Sequence, residues 1–402
     1  MLLKAQEREG IKQETALLLV ETSTGLHIQH GANTTMNFLF SRPQEARKRL
    51  SVLAGLTLML SGGYALADTP TPLLPPPATS FSTVPSNGDV NPYGVAFVPK
   101  TVPSDAPIKP GDILVSNFNN ANNLQGTGTT IVKFSNRGQQ SLFFQGNIPG
   151  LTAALGVLKN GFVIVGSLPT TDGTANTAQP GSLVFINPYG QLIGQIANAN
   201  LFSGPWGMAI FEQEHGAIVF VSNVESGTIT RFVVVYTENG IEVGDFDVIA
   251  SGFNHRGDPA ALELGPSGLA FDPNHNILFV ANSLDNIVYA IPEAATRESS
   301  AGTGTIVYND PVHLHGPLDL AIAPNGDLLV ANSDGSNADP NQPSEIVEFT
   351  ADGTFVTQFS VDPADGGAFG VAVKLVDGFV RLAAVDDNAV TLSIWNFPLS
   401  TY

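Results

Sequence analysis

Gly265-Pro266-Ser267-Gly268-Leu269-Ala270-Phe271, followed after a short turn by Ile277-Leu278-Phe279-Val280-Ala281-Asn282, reads as two apolar strands closed by an amide residue. In one-letter code the same phrase returns as PYGVAF then DILVSN, ALGVLK then FVIVGS, PWGMAI then IVFVSN, PLDLAI then LLVAN, and AFGVAV then RLAAVD. Its lead positions are Gly94, Gly156, Gly207, Gly268, Asp319 and Gly370, spaced by 62, 51, 61, 51 and 51 residues. A period of about 50 residues marks radial repetition of small antiparallel sheets, each burying its faces against its neighbours. The expected fold is all-β: a six-bladed β-propeller of four-stranded antiparallel blades.

The turn chemistry agrees. In the fifth unit, strands are expected at 318–323, 327–332, 345–350 and 354–361, with Asn325-Gly326 and Asp352-Gly353 at two of the joints. Such dipeptides suit tight hairpins. The sixth unit supplies three strands and then the sequence stops at Tyr402, so a strand at 80–84 is expected to complete it and close the ring. Closure hides edges that would otherwise pair with other chains. Extra residues at 99–110, 170–180 and 293–304 fall on loops.

Only 13% of residues are charged and the net charge is -19, so no basic stripe exists to neutralise phosphates, and nucleic acid is not expected as a partner. With no cysteine, disulfides, thiolate metal sites and a cysteine nucleophile are excluded. No Gly-x-Ser-x-Gly elbow and no phosphate-cradling glycine loop appears.

Residues 1–67 read as a leader. Arg42, Arg47, Lys48 and Arg49 precede an apolar run at 50–60, which leads through Ser61-Gly62-Gly63 to Ala65-Leu66-Ala67. A cationic segment, an apolar stretch too short to span a bilayer and small residues at its end make a cleavable signal peptide, expected to be cut after Ala67. Met36 is a possible start, and an uncleaved anchor over 50–66 is the alternative. The product is expected to be periplasmic or secreted, without membrane insertion. Residues 68–77, rich in proline, read as an extended linker, and 78–402 as the propeller.

Gly265 to Asn282, with its echo Asp319-Leu320-Ala321-Ile322-Ala323-Pro324-Asn325-Gly326-Asp327-Leu328-Leu329-Val330-Ala331-Asn332, resembles two related propeller groups, NHL-repeat proteins and gluconolactonase/regucalcin-like hydrolases. The resemblance covers about residues 90–397 and implies the six-bladed fold. In the lactonase-like group an Asn and a strand-closing Asp hold a divalent metal. The matching positions here are Ser267 and Asn282, with Leu318 and Asn332 in the next unit, so that ligand set is not carried over. Some NHL-type propellers are metal-dependent lyases with histidines on loops entering the inner strands. Here His255 and Asp258 enter the fourth unit, while His313 and His315 enter the fifth. Two residues apart on extended chain, His313 and His315 share one side, so with His255 or Asp258 they are the candidate catalytic and metal-binding set. Asp334 and Asp339 add a candidate calcium loop, and the metal expected is divalent, such as calcium or zinc.

For ligand binding, the strand-closing residues Asn117, Asn223, Asn282, Asn332 and Asp386 are expected at one rim, with Trp206 placed to stack on a flat ligand. The expectation is a non-enzymatic binding or scaffold module for a protein, peptide or glycan. The alternative is a metal-dependent lyase or lactonase-like hydrolase.

Overall fold

The computed structural model describes residues 78–333, 338 and 341–398, together with the backbone of three short strands at Val20–Thr22, Gly25–Ile28 and Met36–Leu39. The expected leader otherwise, and the proline-rich segment at 68–77, lie outside the described residues. Among those described, no helix is long and apolar enough to cross a membrane.

Six antiparallel sheets of the propeller follow one another along the chain. The first blade is Val90–Phe97, Ile113–Asn119, Thr130–Phe134 and Gln140–Gln145, and the second is Leu151–Val157, Val163–Ser167, Ser182–Ile186 and Leu192–Ile196. Blade three runs Pro205–Gln213, Gly216–Asn223, Thr228–Thr237 and Gly240–Ser251, with the three short N-terminal strands added at its outer edge. Blade four is Pro266–Asp272, Ile277–Asn282, Ile287–Pro292 and Thr305–Tyr308; blade five is Pro317–Ile322, Leu328–Asn332, Glu345–Phe349 and Phe355–Ser360. Blade six consists of Ala368–Val376, Phe379–Asp386 and Thr391–Pro398, and its fourth strand is Thr79–Ser82, with Ser82 opposite Thr391 and Thr79 opposite Ile394. Each inner strand packs on the next, and Ala368–Val376 packs on Val90–Phe97.

Apolar residues run almost without interruption along the second strands, such as Gly216–Asn223 and Ile277–Asn282, so both faces of these sheets are buried. Among the described residues, six apolar clusters fill the six seams between neighbouring blades. A seventh lies on the axis, where Tyr93, Phe118, Leu168, Trp206, Val224, Leu262 and Leu318 meet.

Near the axis the inner strands approach closely enough to constrain residue type. A Cβ on Gly207 would stand 2.1 Å from the Ser267 carbonyl oxygen of the next blade, and one on Gly370 the same distance from the Tyr93 carbonyl oxygen. Hydroxyls pin the same seams: Ser116 Oγ donates to Thr152 O, Thr152 Oγ1 to Pro205 O, Ser222 Oγ to Ser267 O and Ser267 Oγ to Pro317 O. Buried polar groups of this kind persist because each finds a partner.

The strand register corrects one lead position. Each strand-closing residue pairs with the residue two before the lead: Pro92 with Asn117, Pro205 with Asn223, Pro266 with Asn282, Pro317 with Asn332, Ala368 with Asp386. In blade two the pair is Leu151 with Ser167, which puts Ala153 at the lead, while Gly156 lies further along opposite Ile164. The bulge between Leu151 and Leu155 holds one residue more than its counterparts, and that displaced the sequence match.

Candidate functional site at the channel mouth

The repeat register defines the mouth. The residue before each strand-closing partner is Gly150, Gly204, Gly265, Gly316 and Gly367 in five blades, but Asn91 in the first. Asn91 adopts φ +59°, the left-handed region that glycine enters freely and asparagine tolerates better than most residues. The residue is 6% exposed and its Oδ1 is buried without a hydrogen-bond partner. A strained, buried and unsatisfied amide where the repeat prescribes glycine points to function.

Two columns of the repeat furnish the surroundings of Asn91. One is Tyr93, Thr152, Trp206, Ser267, Leu318 and Phe369; the other, just past the strand ends, is Phe118, Leu168, Val224, Ser283, Ser333 and Asp387. In the second column the backbone N–H of Leu168, Val224, Ser283, Ser333 and Asp387 donates to the strand-opening glycine's carbonyl of its own blade. The side chains of this second column are therefore presented alike, and they divide the mouth: apolar on blades one to three, polar on blades four to six. Tyr93 stacks among Phe118, Trp206 and Phe369 with ring centroids 4.8, 5.4 and 4.7 Å away.

Above this aromatic floor is a cavity of about 300 Å³, lined by Asn91, Tyr93, Asn119, Phe369, Asp387 and Asn388 among others. Asn119, 2% exposed, donates from Nδ2 to Asn123 Oδ1 at 2.7 Å, and its own Oδ1 has no partner. Burial, and then the neighbouring Asp386, pushes the Asp387 carboxyl up to about 7. Burial, and then Asp387, also raises the Tyr93 phenol.

A hairpin unforeseen in the sequence, Arg256–Asp258 paired with Leu262–Leu264, covers one side of the mouth. Leu262 enters the axial cluster in the left-handed conformation at φ +63°. Gln125 Nε2, from blade one, donates to Ala260 O at 3.1 Å, so the insertions of different blades meet here. Within the hairpin, burial and then the charges of Glu225 and Asp258 raise the Glu263 carboxyl to about 7.

The residues singled out in the sequence are placed differently. Trp206 is only 1% exposed and packs edge-on against Tyr93 and Phe118, so it supports the floor and offers no stacking face to a ligand. The strand-closing amides are fully buried fasteners. Asn117 Nδ2 donates to Thr83 O and Thr130 Oγ1, Asn223 Nδ2 to Thr228 Oγ1 and Thr230 Oγ1, Asn282 Nδ2 to Asn254 O, and Asn332 Nδ2 to His313 O and Glu345 Oε1. Asp386 Oδ1 accepts from the Ala389 N–H, capping the turn. Strand-end polar residues satisfy backbone and turn groups first, and their sequence neighbours face the channel.

The histidines do not gather. His313 Nδ1 donates to Asp310 at 2.6 Å while its ring stacks on Phe355 at 3.8 Å, and His315 Nε2 donates to Val312 O. His313 and His315 share a surface cavity with Gln342 and Gln358, which His255 does not line. His255 instead packs beside Gly227 and Gly265. Asp258 is held by Arg256 at 2.7 Å and by the N–H groups of Ala260 and Ala261. Among the described residues no three of His, Asp and Glu come together as a metal would require, so this set does not fit a divalent ion. Asp334 and Asp339 lie outside the described residues.

The sequence matches no protein-family model and no curated relative. Solved structures are similar in fold. Virginiamycin B lyase from Staphylococcus aureus is 14% identical, covering 80% of this chain and 88% of its own, with a TM-score of 0.43. A gluconolactonase from Xanthomonas campestris is 11% identical over 80% and 90%, at 0.49, and the calcium-binding regucalcin of Agrobacterium tumefaciens is 12% identical over 78% and 92%, at 0.44. Its structural neighbours are gluconolactonase- and regucalcin-like propellers. At these identities the likeness is one of fold, and the blades rest on the strand pairing described above.

Proposed function

We propose that this propeller is a non-enzymatic binding module whose channel mouth takes a glycan. The observation that carries the reading is Asn91: a buried amide with an unpartnered Oδ1, in a left-handed conformation, where five other blades have glycine. Amides at a cavity margin with aromatic rings below suit a polyhydroxylated ring, whose hydroxyls supply donors and whose C–H faces rest on aromatic surface. The signal-like segment ending at Ala67 and the acidic composition support an exported protein meeting such ligands outside the cytoplasm.

Calorimetric titration of the purified chain with a panel of neutral and charged mono- and oligosaccharides tests this reading. At least one class should bind, and Asn91→Gly, which restores the residue of the other blades, should weaken it about tenfold, as loss of a buried hydrogen bond implies. A folded protein that binds no saccharide at millimolar concentration would overturn it. The divalent-metal lyase or hydrolase reading has no observation in its favour, because His255, His313, His315 and Asp258 are engaged separately.

A further inference from the structure

The mouth cavity holds acceptors that are not met. Asn91 Oδ1 and Asn119 Oδ1 are buried and unpartnered, and among the described residues burial and the neighbouring Asp386, with no hydrogen-bond donor, act on the Asp387 carboxyl. All three residues line the one cavity, and among the described residues no Lys or Arg lines it with them. The Asn119 amide nitrogen is engaged by Asn123 Oδ1, which leaves its oxygen as the free end of the amide.

A neutral hydroxyl brings a single donor to such a site. A primary ammonium brings three and no acceptor, together with the charge that a partly buried carboxylate lacks. Three acceptors, one of them anionic, therefore match an ammonium in both number and charge. Charge acts in the same direction at long range, because the chain carries -19. The carboxyl's shift to about 7 is that of an acid without a counter-ion; the groups acting on it and beside it are Asp386, Asp362 through Asp386, and Tyr93.

We infer, resting on the glycan reading above, that the ligand is an amino sugar with a free primary ammonium held by Asp387, Asn91 and Asn119, its ring lying against Phe369, the partly exposed ring of the floor. The cavity of about 300 Å³ is at the small end of ligand pockets, which suits one sugar unit and leaves the rest of a chain outside.

The test is calorimetric titration of the full chain at neutral pH with glucosamine, N-acetylglucosamine, glucose and lysine amide. Glucosamine should bind at least about tenfold tighter than the other three, the difference a charge-assisted hydrogen bond supports. Asp387→Ser, which installs the residue found at the equivalent positions 283 and 333, should bring glucosamine down to the affinity of glucose. If that variant does not melt as a folded protein, Asn91→Gly serves instead, and should weaken glucosamine more than glucose. Equal binding of the three sugars would overturn the ammonium assignment and leave the glycan reading standing. Binding of no sugar would remove both. Lysine amide binding as tightly as glucosamine would overturn the sugar ring as the recognised element.

Discussion

The carboxylate of Asp319, in blade five, accepts a hydrogen bond of 2.8 Å from the backbone N–H of Val371, in blade six. Glycine occupies this lead position in four other blades, where inner strands meet almost backbone to backbone. Here a side chain spans the seam instead. Asp319 also accepts from the Leu320 N–H, yet burial outweighs both bonds and raises the carboxyl to about 7. With the folded pKa above the unfolded value of about 3.9, the group's stabilisation is present at low pH and is lost as pH rises from about 4 through about 7. Glu263 and Asp387 act in the same direction. Thermal melts of Asp319→Gly and wild type at pH 5 and pH 8 should show the variant gaining on wild type at the higher pH, by roughly 2–4 °C or more. Parallel profiles would mean that Asp319 is not the titrating group.

Asn91 separates backbone strain from ligand binding. Asn91→Ala places a less tolerant residue in the left-handed region and should cost about 1–2 kcal/mol, whereas Asn91→Gly should leave the melting temperature unchanged or raised. Urea unfolding of both variants checks this ordering. If alanine proves as stable as glycine, the conformation at φ +59° is not held in the folded protein.

Trp206 is a structural anchor, buried between Tyr93 and Phe118 on the axis. Trp206→Ala should destabilise the protein by about 3–5 kcal/mol. A loss of less than about 1 kcal/mol, measured by denaturant unfolding, would show that the floor is not packed as described.

Deletion of residues 78–86 removes Thr79–Ser82, the fourth strand of blade six, and the Ser80–Ser393 hydroxyl bond of 2.7 Å with it. The edge of Thr391–Pro398 is then unpaired, and the truncated protein should melt at a sharply lower temperature and aggregate. An unaltered melt would exclude this strand from the ring.

The blades were legible in the sequence because burying strands on both faces imposes a repeated apolar phrase, and because each inner strand needs a small residue near the axis. The exceptions to the phrase are where sequence and structure part. Gly156 was matched to the lead because a bulge with one extra residue displaced the register in blade two. Asn117, Asn223, Asn282 and Asn332 were expected to face a ligand, but sequence spacing cannot tell a strand-end amide that caps its own turn from one facing solvent. Trp206 looked like a stacking platform until its neighbours around the axis, distant in sequence, enclosed it. The signal that could have found the site was already present: aligning the residues before Pro92, Pro205, Pro266 and Pro317 sets Asn91 against three glycines. His313 and His315 do share a cavity, but on a hydrogen-bonded turn, where the His313 and Leu314 N–H groups donate to Asp310 O, and not on extended chain, and His255 belongs to a separate loop.

The unequal halves of the second mouth column, Phe118, Leu168 and Val224 facing Ser283, Ser333 and Asp387, bear on counting and handedness. Six near-identical blades could in principle offer a guest several equivalent poses related by rotation about the axis. Here a sixty-degree turn exchanges a phenyl ring for a carboxylate, so a guest at the proposed mouth would meet different groups in each azimuth, and its mirror image would meet them in a different order.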